Sequence, residues 1–155
     1  MIWTAAIVFV LDQITKVLVV QVMNLKSVGV INVFEPFLVF RMAWNAGINF
    51  GLGAGMGDFM RWVLIALALG ICVAVVIWVR REGGGRAAEI SAGLLVGGAI
   101  ANVIDRVIYG AVADFLNMSC CGLVNPFSFN VADISIFAGA ALLILRSGDP
   151  KPDPA

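Results

Sequence analysis

Four stretches of this 155-residue chain, about 1–22, 59–79, 87–108 and 131–145, are apolar for most or all of the length a bilayer demands. A helix needs roughly 20 apolar residues to cross the hydrocarbon core. The whole chain is 61% hydrophobic and only 13% charged, where a soluble domain carries about 25% charged residues. The expectation is one polytopic membrane domain over 1–155, all-α with a small β part: four transmembrane helices, with the last one short. The first run does not read as a cleavable signal peptide, because it has no basic start, holds Asp12 and Lys16 in its apolar stretch, and is followed by no A-x-A site.

Residues 24–58 form no span. Val28 to Met42 is rich in Val, Ile and Phe and is broken by Glu35-Pro36, which predicts short strands or a small sheet at the membrane interface. W-N-A-G-I-N-F-G-L-G-A-G-M-G-D, residues 44–58, holds five glycines and reads as a loop, mobile or close-packed. Asp58 reads as the N-cap of the next helix. G-M-G-D at 55–58 is not the G-x-G-D of presenilin-like proteases, since Asp58 precedes a span and Tyr109 is followed by Gly110 rather than Asp. Trp62 and Trp78 sit near the two ends of the second run, as interfacial anchors do. Gly93 and Gly97 form a G-x-x-x-G suited to close helix packing. The Pro-rich tail, 147–155, reads as disordered.

Arg80, Arg81 and Arg86 crowd one short turn, and Arg146 and Lys151 lie in the tail, against Lys26, Arg41 and Arg61 on the other side. The positive-inside rule then places both termini in the cytoplasm. Asp105, Asp114, Asp133, Lys16 and the glycine loop converge near the outer face.

Several chemistries are excluded. Ten Lys and Arg balance ten Asp and Glu, so there is no basic footprint for nucleic acid. There is no histidine, which removes Ser-His-Asp and Cys-His catalysis and argues against zinc. Cys72 lies in a span and reads as packing. Cys120 and Cys121 are adjacent, fit no metal pattern, and carry no assigned role. No metal and no cofactor are expected.

The remaining signal is acidic. Asp105, Asp114 and Asp133 lie among residues fit for a membrane interior, two of them in near-copies of one phrase, V-A-D-F (112–115) and V-A-D-I (131–134). Carboxylates there are costly and mark function, and two brought close can share one proton. The residues alone do not choose two acids from the three. Asp12 and Lys16, four apart, share a helix face as an ion pair or a brace for a site. Asn102 and Asn130 each precede an Asp by three residues, and Asn130 also suits an N-cap. A protease, a small transporter or proton pathway, and a non-catalytic scaffold all remain open at this level.

The motif order narrows the choice. D-Q-I-T-K (12–16), N-A-G-I-N-F-G (45–51), G-G-A-I-A-N-V-I-D-R-V-I-Y-G-A-V-A-D-F (97–115) and F-N-V-A-D (129–133) resemble, in order, the four motifs of bacterial lipoprotein signal peptidases (signal peptidase II). The resemblance implies an aspartyl endopeptidase that removes signal peptides from diacylglyceryl-modified prolipoproteins. Its catalytic pair would be Asp114 and Asp133, supported by Asp12, Lys16, Asn45, Gly47, Asn102, Asp105, Arg106 and Asn130. It also implies an extracytoplasmic sheet cradle, a mobile loop over the site, membrane lipids as partners, a monomer, and residence in the bacterial inner membrane. Ile48, Asn49, Gly51 and Ala101 depart from the usual pattern.

Overall fold

The computed structural model describes residues 1–47, 57–82, 85–120 and 122–147. Four helices make the body: α1 (Ile2–Lys16), extended by a π-helical stretch Val17–Val22; α3 (Gly57–Glu82); α4 (Gly85–Tyr109); and α5 (Val131–Ser147). A single turn, α2 (Leu25–Val28), leads into strands β1 (Val30–Phe34) and β2 (Leu38–Asn45). Strand β3 (Val112–Asn117) follows α4. Among the described residues, three helical stretches, Ile2–Val22, Asp58–Glu82 and Gly85–Tyr109, are long and apolar enough to cross a membrane. The expected fourth, α5, has 17 residues, about 25 Å at 1.5 Å per residue, so by length alone it falls short.

α4 is the central helix. Only small residues let backbones approach this closely in an apolar medium, and α4 supplies them on two faces. A side chain on Gly93 or Gly97 would run into Thr4 and Ala5 of α1. One on Gly98 would run into the Ala132 carbonyl and Ile136 of α5, and Gly139 of α5 lies as close to Ser91 and Leu95. At one end of the bundle Val79, Ala88, Ala92, Leu95 and Leu143 close an apolar cluster.

The other end is capped by a three-stranded antiparallel sheet in the order β1-β2-β3. The register sets Ala43 opposite Asp114 and Asn45 opposite Val112. Val19, Val20, Leu25, Ala113 and Phe115 form the core beneath it. β3 corrects the sequence reading, which expected strands only within Val28 to Met42. Its alternation was masked because five of six positions are buried, so it shows no polar face. Phe129 then pairs with Leu116, exchanging both backbone hydrogen bonds, which returns the chain beside β3 before α5 begins. Asp58 is a second correction. It lies inside the first turn of α3, 3.8 Å from Arg61, and is not the cap. Most of the glycine loop, 48–56, and tail residues 148–155 lie outside the described residues, and Ser147 belongs to α5.

Candidate active site

The site is built where β3 meets the start of α5. Asn130 caps that helix: its Oδ1 accepts the Asp133 N–H at 2.9 Å, and the Asp133 carboxylate accepts the Asn130 N–H at 3.2 Å. This reciprocal box satisfies two donors that a helix start leaves orphaned. It also fixes Asp133 in the first turn of α5. The Asn130 amide nitrogen donates to Asp114 Oδ1 at 2.6 Å. One asparagine therefore holds both acids. The second oxygen of Asp133 accepts from Asn102 Nδ2 at 2.8 Å, and that of Asp114 from Asn45 Nδ2 at 3.0 Å. Asn45 Oδ1 in turn accepts the Gly47 N–H at 2.9 Å. Gly47 has φ +81° and lies against Leu64 and Arg106, so neither its backbone nor its surroundings admit a side chain.

Asp114 is only 2% exposed, while Asp133 is half-buried. Burial, and then the nearby charge of Asp133, push the Asp114 carboxyl up from the usual 3.8 to about 7, against the opposing pull of the Asn45 and Asn130 hydrogen bonds and of Lys16. The folded protein thus holds a proton at Asp114 that the unfolded chain releases at lower pH. The contribution of Asp114 to stability therefore falls as pH rises between about 4 and 7. Asp114→Asn lacks this penalty, so its melting temperature should gain on the wild type steadily from pH 4 to pH 7. Parallel pH–Tm curves would contradict a raised Asp114.

Behind the acids lies a buried ionic cluster. Lys16 Nζ is 2.6 Å from Asp12 Oδ2 and 2.7 Å from Asp105 Oδ2, and it reaches Asn102 Oδ1 at 3.4 Å. Asp12 Oδ1 accepts the Ala132 N–H at 2.9 Å, and Asp105 Oδ2 accepts the Ala113 N–H at 3.1 Å. Gln13 Nε2 donates to both carboxylates, at 3.2 and 3.1 Å. The Asp12–Lys16 pair is therefore both an ion pair and a brace. Arg106 makes no ion pair among the described residues. Its Nη1 donates to the Asn102 carbonyl at 3.4 Å, and its buried Nε has no partner.

All ten residues singled out by sequence meet in this region. Asp105 is separated from the other two acids by its bond to Lys16, a distinction the residues alone could not draw. Asn130 takes both of its possible roles. Gln13 was missed, although it lies inside D-Q-I-T-K; an uncharged side chain beside two charged ones gave no separate signal.

A family model described as signal peptidase (SPase) II matches residues 4–148. A lipoprotein signal peptidase of Methylorubrum extorquens (strain PA1) is 43% identical over 117 residues, covering 76% of this chain and 67% of that one. Those of Rhodopseudomonas palustris (strain ATCC BAA-98 / CGA009) and Methylobacterium sp. (strain 4-46) are 39% and 38% identical over 144 residues, covering 91% and 93% of this chain and 87% and 86% of theirs. A solved bacterial membrane enzyme structure superposes with a TM-score of 0.82 at 27% identity, covering 97% of this chain and 93% of that one.

Proposed function

The chain belongs to the signal peptidase II family, a family of membrane proteases, and on that premise we propose that it cleaves signal peptides from diacylglyceryl-modified prolipoproteins with Asp114 and Asp133 as the catalytic pair. The observation that carries this is the double hold of Asn130, which ties a buried carboxyl to one at a helix start. Asp114, raised to about 7, is the proton holder, and Asp133, at the start of α5, is the partner that activates water. Asp133 takes a proton from water, and that water attacks the scissile carbonyl while Asp114 gives its proton to the carbonyl oxygen. A gem-diol forms; on collapse the C–N bond breaks, Asp133 passes its proton to the leaving nitrogen, and Asp114 recovers a proton from the diol. The remaining named residues support the pair. Arg106, with its unpartnered Nε and its charge beside both acids, is placed to meet a substrate carbonyl.

In this reading α5 is the fourth span, with the membrane adapting to its length. Both termini are cytoplasmic, the sheet is an extracytoplasmic cradle, and the enzyme works as a monomer in the bacterial inner membrane, in contact with its lipids. The transporter reading has little to support it, since the acids cluster at one end of the bundle and form no relay across it.

Incubation with matched lipidated and unlipidated precursors tests the substrate assignment. The lipidated precursor should be cut just before its modified cysteine and the unlipidated one left intact. Equal cleavage of the two would refute the lipid requirement.

A further inference from the structure

We propose that Lys16 sets the separation of Asp114 and Asp133, through two carboxylates that each grip the backbone one residue ahead of an acid. This rests on the reading of those two acids as the catalytic pair. The repeated phrase V-A-D supplies the geometry. In the first copy the Ala113 N–H is held by Asp105, and in the second the Ala132 N–H is held by Asp12. The two copies have different backbones, one a strand and one a helix start, yet each offers the same donor. In β3 the pairing with β2 leaves Ala113 N–H to the buried carboxylate. In α5 the Ala132 N–H is one of the donors that a first turn leaves without an intrahelical partner. Both alanines are buried, Ala113 at 3% and Ala132 at 0% exposure, so neither can drift without disturbing its packing.

Both grips end on one cation. Asp12 and Asp105 are fully buried and Lys16 is 6% exposed, so the two ion pairs are little screened by salt. Lys16 also touches Asn102 Oδ1, whose Nδ2 donates to Asp133. Gln13 Nε2 spans the two carboxylates from the other side. α1 thereby acts as a clasp between two segments, β3 and α5, that otherwise meet through Asn130 and the backbone pairing at Phe129. Lys16, Asp12, Asp105 and Gln13 are positioning residues: none of the four donates to or accepts from either catalytic carboxylate.

A double-mutant cycle tests this on the full chain in phospholipid vesicles with a lipidated precursor. Asn at either position keeps an oxygen for the alanine N–H but weakens the hold of Lys16. Asp12→Asn and Asp105→Asn should each lower kcat about 10–100-fold, the scale of an ångström misplacement, with KM within about twofold. Once either grip is loose the pair is already misaligned, so the double variant should fall no further than the worse single one. A double loss equal to the product of the single losses would overturn the clasp, as would unchanged kcat or a change confined to KM. Unfolding of both single variants at the assay temperature would mark the cluster as mere fold support and overturn it too. A second readout is the pH profile. Asp114 faces Asp133, Lys16 and Arg106 across the site, and Lys16 lowers its proton affinity. Loosening Lys16 from Asp105 should therefore shift the alkaline limb of kcat/KM, whereas a purely structural role leaves it in place. Asp114→Asn and Asp133→Asn serve as controls. Turnover retained in those variants would end the dyad reading itself, whereas inactive controls with an additive cycle would end only the clasp.

Discussion

Asp133→Asn is expected to lower kcat for a lipidated precursor by about 10²–10⁴-fold, the usual worth of a positioned acid or base, in protein that still folds. The asparagine keeps an oxygen for one of the two hydrogen bonds that Asp133 accepts, from Asn102 Nδ2 or the Asn130 N–H, so the start of α5 survives. It cannot take a proton from water. Asp114→Asn should cost as much for the complementary reason, since an amide offers the carbonyl a hydrogen bond but cannot give its oxygen the proton that completes the gem-diol. The two acids act as a unit, so the double variant should be little worse than either single one. Turnover of folded variants in vesicles checks this. Near-normal kcat in either variant would remove that residue from the chemistry.

Lys16→Met is expected to destabilise the fold by about 3–5 kcal/mol, the cost of breaking a buried ion pair from one side. Asp12 and Asp105 are both 0% exposed, and with the ammonium gone they would confront each other without a counter-charge. Methionine roughly fills the volume, so the loss is electrostatic and not a cavity effect. Adding Asp105→Asn to Lys16→Met should recover part of the stability, because one of the two stranded charges is then removed. Denaturant unfolding in detergent reads both values. A Lys16→Met variant as stable as the wild type would show that the cluster carries no net charge strain.

Much of this was legible in the residues because the membrane simplifies the code. Apolar runs mark helices with little ambiguity, and an acid inside one must be explained. The Val- and Phe-rich stretch before the glycine loop gave β1 and β2. β3 was hidden, because a strand buried on both faces has no alternation, and V-A-D-F-L-N continues the apolar character of α4. The partners of the charges were hidden as well. Asp12 and Lys16 are four apart and could be paired on sight, but the Lys16–Asp105 contact joins residues 89 positions apart in sequence. Helix periodicity says which face a residue occupies and nothing about which helix meets it. The same limit applied to Asn102: its three-residue spacing from Asp105 does not reveal that the Asn102 amide reaches Asp133 on α5.

The pH dependence of kcat/KM between about pH 5 and pH 9 bears most directly on whether one proton is shared by Asp114 and Asp133, because kcat/KM reports the free enzyme's essential groups. With the Asp114 carboxyl raised to about 7, activity should be sustained below that pH and should fall as pH climbs through it, where the second acid ionises and the proton donor is lost. Activity that stays level to pH 9 would mean that no protonated carboxyl is needed, and the paired-acid chemistry would not stand.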